Sequence, residues 1–210
     1  KDGYDDIIVG ADSYNSATGA AYVIYGGEKS SMANLDMSTL LNPLTTGFRI
    51  IGNAATNHLG CSVSTAGDIN NDGYDDIIVG AYNKNAAYVI YGGEKSSMSN
   101  IDLSTPLNPL TTGFMITGGT IGDNFGAVVS TAGDINNDGY ADIIVGAKMK
   151  NSNQGAAYVI YGGEKSSISN IDLSTPLDPL TTGFMITGNT IGDSFGNSVS
   201  TAGDVNNDGY

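Results

Sequence analysis

The sequence is poor in cysteine, in basic residues and in long apolar runs. Its 210 residues include one cysteine and no tryptophan, and a single cysteine excludes an internal disulfide framework or a zinc site held by several thiolates. Only eight lysines and arginines accompany 22 aspartates and glutamates, which argues against a nucleic-acid-binding surface. No apolar run approaches the roughly 18 to 20 residues of a membrane-spanning helix, so no membrane insertion is predicted for this stretch.

The most prominent feature that is present is an internal repeat. The motif Tyr-x-Asp-Ile-Ile-Val-Gly-Ala begins at Tyr4, Tyr74 and Tyr140, at spacings of 70 and 66 residues, and the second copy has a shorter loop near Lys84. This length fits a four-stranded unit with one long excursion. We predict three repeat units, at 1–73, 74–139 and 140–210, whose boundaries cut through polar loops. We expect them to be part of a longer array.

Four short strands are predicted within one repeat length. Residues 142–147 form a continuous β-branched apolar run, as in a strand buried on both faces. Residues 127–132, 156–161 and 184–187 are further candidate strands, separated by Gly-rich turns. No segment has a sustained helical period. The prediction is an all-β fold made of β-propeller blades of four antiparallel strands, or another antiparallel β array.

Each unit also contains a long Ser-, Asn- and Pro-rich excursion, which starts at Glu28, Glu94 and Glu164 in the three copies. Our first interpretation is a loop that wraps the outer edge of a blade, with its leucines in a local cluster. The alternative is a contact surface between molecules, which three near-identical copies would present periodically.

A polar loop with the pattern D-x-N-x-D-G-x-x-D occurs in full at residues 68–76 and 134–142. Side-chain oxygens at positions 1, 3, 5 and 9 and the carbonyl at position 7 suit Ca²⁺, which takes roughly 6 to 8 oxygen ligands, better than octahedral Mg²⁺. The loop differs from an EF-hand because Val79 occupies position 12 and strands flank it. The predicted ligands are Asp68, Asn70, Asp72, the Tyr74 carbonyl and Asp76, and Asp134, Asn136, Asp138, the Tyr140 carbonyl and Asp142.

Parts of the same loop occur near both ends of the chain. An Asx-rich turn without metal is the alternative for a single copy, but two full copies that keep every oxygen position favour calcium. Twelve of the 22 acidic residues lie in these loops, so the net charge of −14 consists mostly of predicted ligands. The partial loops add Asp2, the Tyr4 carbonyl and Asp6, and Asp204, Asn206, Asp208 and the Tyr210 carbonyl.

The motifs around the loop carry a family resemblance. Phe125-Gly126 before it and Gly146-Ala147 after it resemble the FG-GAP repeat, which builds the seven-bladed propeller of integrin α subunits and occurs in many surface proteins. The first copy departs from the pattern with Leu59-Gly60, and the final proline of the motif is absent from all copies. The resemblance implies a calcium-binding propeller used extracellularly in adhesion or assembly.

The sequence does not predict an enzyme. His58 and Cys61 are replaced in the other two copies, and nucleophilic catalysis needs a base held beside the nucleophile. The favoured function is a calcium-stabilised module of an extracellular or cell-surface protein that binds a protein or glycan ligand or associates with itself. The alternatives are a repeating subunit of an extracellular structural fibril and an accessory propeller of a larger secreted enzyme.

Overall fold

A computed structural model of the protein describes residues 2–30, 33–207 and 209. Within these residues the regular secondary structure is mostly β-strand, joined by long turns and loops. None of the described helices has the length and apolarity needed to cross a membrane. The helices are the short turns α1 (Tyr14–Ala17) and α2 (Lys150–Asn153) and the 3-10 turn Tyr82–Lys84. The strands are β1 (Ile7–Ala11), β2 (Ala20–Ile24), β3 (Gly47–Ile51), β4 (Leu59–Gly67), β5 (Asp76–Ala81), β6 (Ala86–Ile90), β7 (Ile101–Asp102), β8 (Gly113–Thr117), β9 (Phe125–Gly133), β10 (Asp142–Ala147), β11 (Ala156–Ile160), β12 (Ile171–Asp172) and β13 (Gly183–Thr187).

The strands form three sheets, and we call the antiparallel part of each sheet a blade. Blade 1 contains β1, β2 and β3, blade 2 contains β4, β5, β6 and β8, and blade 3 contains β9, β10, β11 and β13. Consecutive strands within each blade pair antiparallel. The prediction of an all-β fold with propeller-type blades is confirmed, and the described residues do not close into a ring.

The blades and the repeat units predicted from the sequence differ in phase. Strand β9 lies in the predicted unit 74–139, whereas its partners β10, β11 and β13 lie in the unit 140–210. Each of blades 2 and 3 therefore takes its first strand from the end of one unit and the other three from the next. The metal loop connects these two parts, because it joins β4 to β5 and β9 to β10.

The length difference between repeats lies in the turn between the first two strands that follow the metal loop. The longer turns contain α1 and α2, where Asn15 and Asn151 have φ values of 47° and 50°. The short copy makes one 3-10 turn that ends at Asn85, with φ of 57°. Asparagine tolerates this left-handed region better than most residues, so both turn lengths close a hairpin of the same register.

The second and third excursions clasp the outer edge of the preceding blade. In the excursion 164–183, β12 pairs in parallel with β8 of blade 2, and the excursion of the second copy places β7 on β3 of blade 1 in the same way. The Leu173 amide donates to the Thr117 carbonyl at 3.0 Å, and the Met115 amide donates to Asn170 Oδ1 at 2.9 Å. The predicted outer-edge location is observed, but the edge belongs to the neighbouring blade.

The hydrophobic core lies between the blades. One cluster joins Ile78, Phe114 and Ile116 of blade 2 to Phe125 and Ile143 of blade 3, and all five side chains are fully or almost fully buried. A second cluster joins blades 1 and 2. Each blade is thus buried mainly against its neighbour, as expected for a repeat whose single unit cannot cover its own apolar faces.

Glycines allow the blades to approach at the Phe-Gly and Gly-Ala motifs. A Cβ atom added to Gly80 of blade 2 would lie 2.0 Å from the carbonyl oxygen of Gly126 in blade 3, and Gly10 and Gly146 have the same relation to Gly60 and Gly196. Gly126 itself has φ of 83°, a conformation that glycine adopts without steric cost. The two motifs are therefore the two sides of one backbone contact between consecutive blades.

Candidate metal centre

The loop 68–76 owes its shape to two left-handed residues and a set of side-chain acceptors. Asn71 and Gly73 have φ of 54° and 89°, so both adopt positive φ within three residues of chain. The two carboxylate oxygens of Asp68 accept hydrogen bonds from the amides of Asp72 and Gly73 at 3.0 and 2.8 Å. Asp72 Oδ1 accepts from the Tyr74 amide at 3.0 Å. These hydrogen bonds hold the carboxylates of Asp68 and Asp72 against backbone amides of the same loop.

The asparagine at position 4 of the loop has a role in backbone conformation that the sequence analysis did not predict. Asn71, Asn137 and Asn207 all have φ between 54° and 57°. Among non-glycine residues, Asn and Asp are enriched in this region, so the recurrence of Asn at position 4 was the signal that could have identified its role.

Asp76, at position 9, is a fully buried acceptor. Its Oδ2 atom accepts from the Ile69 amide and from Asn70 Nδ2, both at 3.0 Å, and its Oδ1 atom accepts from the Gly92 amide at 2.8 Å. Burial raises the pKa of Asp76 to about 7, against the lowering effect of the Gly92 and Ile69 amides, and the charges of Asp72 and Asp68 raise it further. The side chain therefore ties the loop to the end of strand β6.

The same clasp occurs in the other copies. Asp142 accepts from the amides of Gly162 and Ile135 at 2.9 and 3.0 Å, and Asp6 accepts from the Gly26 amide at 2.8 Å. Burial likewise raises the pKa of Asp142 to about 6. A structural role for position 9, in addition to the predicted ligand role, was not evident from the sequence because the glycine amides that it binds are 16 to 20 residues away.

The Asn70 side chain provides a test of whether the loop fits a cation. Asn70 is only 7% exposed, and within the part of the chain that the structure describes its Oδ1 atom has no hydrogen-bond partner. Burying an unsatisfied carbonyl oxygen is costly unless something else binds it. All the predicted donors are oxygens, the type that Ca²⁺ prefers, so the chemistry of the donors and the unpartnered Asn70 oxygen suit a hard cation.

The loop 134–142 has a different arrangement at position 3. Asn136 Nδ2 donates to Asp138 Oδ2 at 2.9 Å, and Asn136 Oδ1 accepts from the Asp138 amide at 3.0 Å. Asp134 accepts from the amides of Asp138 and Gly139, as Asp68 does in its loop. In this copy the amide oxygen is already used within the loop.

The partial loops keep some of these contacts. Asp2 Oδ1 accepts from the Tyr4 amide at 3.2 Å, and Asp204 Oδ2 accepts from the Gly209 amide at 2.9 Å. Asn206 is also part of the described chain, whereas Asp208 and Tyr210 lie outside the described residues. Among the described residues, no three His, Cys, Asp or Glu side chains gather closely enough to define a metal cluster by themselves, so the calcium ligands remain a prediction.

The loop 68–76 is also a contact between blades 2 and 3. The Ala141 amide donates to the Asp68 carbonyl at 3.1 Å, and the Gly163 amide donates to the Ile69 carbonyl at 2.9 Å. Lys165 Nζ pairs with Asp72 Oδ2 at 2.6 Å. Three donors from blade 3 and its excursion therefore hold a loop that belongs to blade 2.

The discounted pair His58 and Cys61 lies at the contact of blades 1 to 3. His58 Nδ1 is 3.4 Å from Asp12 Oδ2, and its ring stacks on Tyr82 with centroids 5.0 Å apart. Cys61 Sγ donates to the Gly126 carbonyl at 3.3 Å, and burial raises the pKa of its thiol. A thiol with a raised pKa is a poor nucleophile at neutral pH, so Cys61 has the properties of a packing residue.

The pKa of Asp76 predicts the pH dependence of the metal-free protein. In the folded state this carboxyl keeps its proton up to pH of about 7, whereas in the unfolded chain it loses it near its ordinary value of 3.8. Between these limits the folded state binds more protons, so its stability falls as pH rises. We expect urea midpoints in the presence of chelator to be higher at pH 5.5 than at pH 8. With calcium present, we expect this difference to shrink or reverse, and a midpoint in chelator that rises with pH would contradict the account.

The chain is similar in sequence to a known repeat family and to several known proteins. A family model described as the FG-GAP repeat matches residues 62–91 and 125–160, and each match includes one complete metal loop. Phosphatidylinositol-glycan-specific phospholipase D of Mus musculus is 32% identical over 119 residues, which is 51% of this chain and 13% of that protein. Integrin alpha-6 of Gallus gallus is 31% identical over 151 residues, which is 70% of this chain and 12% of that protein.

Integrin alpha-4 of Xenopus laevis is similar over more of the chain, with 26% identity over 170 residues, which is 78% of this chain. The chain spans only 14% of the length of that relative. The similarity therefore concerns the repeats and not the full architecture of these proteins.

Proposed function

We propose that this chain, which carries FG-GAP repeats and is homologous to part of integrin alpha subunits, is a calcium-stabilised β-propeller module of an extracellular or cell-surface protein that acts in adhesion or scaffolding. The observation that carries the proposal is the loop 68–76, which joins blades 2 and 3 and contains a buried Asn70 oxygen with no hydrogen-bond partner among the described residues. A cation bound there would act on the packing of the blades.

The chemistry that Ca²⁺ supplies is charge neutralisation and oxygen coordination. In loop 68–76, Asp68, Asn70, Asp72, the Tyr74 carbonyl and Asp76 would hold it. Extracellular calcium modules function with dissociation constants of roughly 10⁻⁴ to 10⁻³ M, so a loop with one amide and one carbonyl among its ligands is adequate in that location. The corresponding residues 134–142 and the two partial loops would supply equivalent sites.

The proposed role is binding and not catalysis, with a protein or glycan as the ligand or with self-association through the repeated blades. The integrin similarity supports a role at the cell surface. The recurring excursions support repeated contacts, since equivalent leucines at Leu44, Leu110 and Leu180 are all exposed. The same recurrence supports the fibril alternative, in which the blades would repeat along an extracellular polymer.

One observation favours a second candidate, an accessory propeller of a larger secreted enzyme. The similarity to phosphatidylinositol-glycan-specific phospholipase D covers 51% of this chain but only 13% of that protein. In that case the repeats would serve a catalytic domain elsewhere in the parent protein. The calcium loops would have the same structural role in either setting.

Calorimetric titration of calcium tests the proposal. We expect Asp72→Ala to abolish binding at one loop and lower the number of calcium sites by one, because it removes a carboxylate ligand. Asp75→Ala is the matched control: it removes the same charge, and the equivalent residue in the second loop is Ala141. We expect this control to bind calcium as the parent does. A parent protein that takes up no calcium at millimolar concentration would refute the metal part of the proposal.

A further inference from the structure

Lys165 belongs to the excursion 164–183, which lies on the outer edge of blade 2, and it contacts the metal loop of the same blade. Its Nζ atom lies 2.6 Å from Asp72 Oδ2 and 4.8 Å from the centroid of the Tyr91 ring, over its face. Asp72 belongs to the loop and Tyr91 follows strand β6, so one lysine from the next repeat contacts two parts of the preceding blade.

The contact is repeated one blade earlier. Lys95 Nζ pairs with Asp2 Oδ2 at 2.5 Å and lies 4.9 Å from the centroid of the Tyr25 ring. In both cases the lysine follows the aspartate by 93 residues, and the aspartate is at position 5 of its loop. A contact with the same three residue types at the same separation is a property of the repeat and not of one surface side chain.

The two complete loops differ in the contacts that they receive from a following blade, and the lysine is one of these contacts. Loop 68–76 also accepts hydrogen bonds from the Ala141 and Gly163 amides, whereas the position 93 residues after Asp138 lies beyond residue 210. In loop 68–76 Lys165 occupies Asp72 Oδ2, the Asn70 amide group turns its Nδ2 to Asp76, and Asn70 Oδ1 has no partner among the described residues. In loop 134–142 no lysine contacts Asp138 within the described chain. There Asn136 Nδ2 takes the free carboxylate oxygen, and its own oxygen accepts from a backbone amide.

We propose that Lys165 is a positioning residue for the metal loop: by holding Asp72 Oδ2 it leaves the Asn70 oxygen available to a divalent cation. This inference rests on the proposed calcium function. Because Lys165 belongs to the excursion 164–183, cation binding and the packing of that excursion on blade 2 favour each other, and the coupling is reciprocal.

Calcium affinity of the single loop tests this assignment. All proteins carry Asp2→Ala, Asp138→Ala and Asp204→Ala, which remove a carboxylate from each of the other proposed sites, so that titration with calcium reports loop 68–76. We expect Lys165→Met to raise the dissociation constant at least about fivefold, the low end of coupling between linked sites, and Lys165→Arg to restore most of the affinity. Lys29→Met is the charge-matched control, because it is the same lysine of the first repeat and has no ion pair among the described residues. We expect it to leave the affinity unchanged.

An unchanged or lower dissociation constant for Lys165→Met is the result that would contradict the inference. If Lys165 only repelled the cation, Lys165→Met would bind calcium as tightly as the parent or more tightly, and the inference would be wrong while the calcium function stands. Failure of the parent to bind calcium would refute both. Far-UV circular dichroism checks that each variant is folded.

Hydrogen exchange of the parent chain supplies a measurement that needs no variant. We expect calcium to slow amide exchange in residues 164–168, which surround Lys165, as a result of the coupling. Equal exchange rates in calcium and in chelator, at saturation of the loop, would contradict it.

Discussion

Gly80→Ala is expected to lower the free energy of unfolding by about 3 kcal/mol, at the upper end of the usual cost of overpacking a close contact. The new Cβ atom would lie 2.0 Å from the Gly126 carbonyl oxygen and 3.5 Å from Cys61 Sγ. The near contact is backbone of the next blade, so no side chain can rotate away to relieve it. Urea denaturation in the presence of calcium measures the change.

The control for Gly80 is Gly163→Ala. There the nearest atom to the added Cβ would be Ser167 Oγ at 3.3 Å, a side-chain atom that can rotate, and the Gly163 amide that donates to Ile69 is kept. We expect a change within about 0.5 kcal/mol, as for most substitutions without a specific conflict. Equal effects at both positions would show that the close glycine pair does not determine how the blades pack.

Asp76→Ala is the second substitution with a large expected effect. It leaves the Ile69 amide, the Gly92 amide and Asn70 Nδ2 without their buried acceptor, and each unsatisfied buried donor costs about 1 to 3 kcal/mol. We expect a loss of about 3 to 5 kcal/mol in the presence of calcium, in the range of the largest single substitutions. Thermal and urea denaturation in the same buffer give the two measurements.

Asp75→Ala again provides the comparison, since Asp75 is exposed and adjacent in sequence. We expect its stability to stay within about 0.5 kcal/mol of the parent. A loss for Asp76→Ala no larger than that of Asp75→Ala would mean that the position-9 carboxylate does not tie the loop to blade 2.

Local patterns predicted much of this fold correctly. The apolar run 142–147 is strand β10 with the same limits, and the candidate strand 156–161 is β11 to within one residue. These predictions succeeded because each rests on residues that are consecutive in the chain. The polar loops were also located correctly between strands, since glycine and asparagine mark positions of left-handed backbone.

Contacts between repeats could not be predicted in the same way. Lys165 lies 93 residues from Asp72, and nothing near Lys165 in the sequence indicates that its excursion clasps the preceding blade. The glycines of the Phe-Gly and Gly-Ala motifs were recognised only as a pattern. Their physical reason, the approach of Gly80 to Gly126, depends on how one blade lies on the next.

The sequence interpretation also treated position 9 as one ligand among several. The structure adds that Asp76 is fully buried and accepts three hydrogen bonds. Because carboxylates are rarely buried without such partners, this role depends on the Gly92 amide, which the fold brings to it from the end of strand β6.

The central claim is that calcium stabilises the blades through these loops, and thermal unfolding in calcium and in chelator tests it most directly. A cation at about 100 times its dissociation constant stabilises the folded state by about 2.7 kcal/mol per site. For a chain of this size that corresponds to a rise in melting temperature of about 5 to 10 °C per site. The account predicts a rise of at least this size on adding calcium to the chelated protein, and the same melting temperature in both conditions would contradict it.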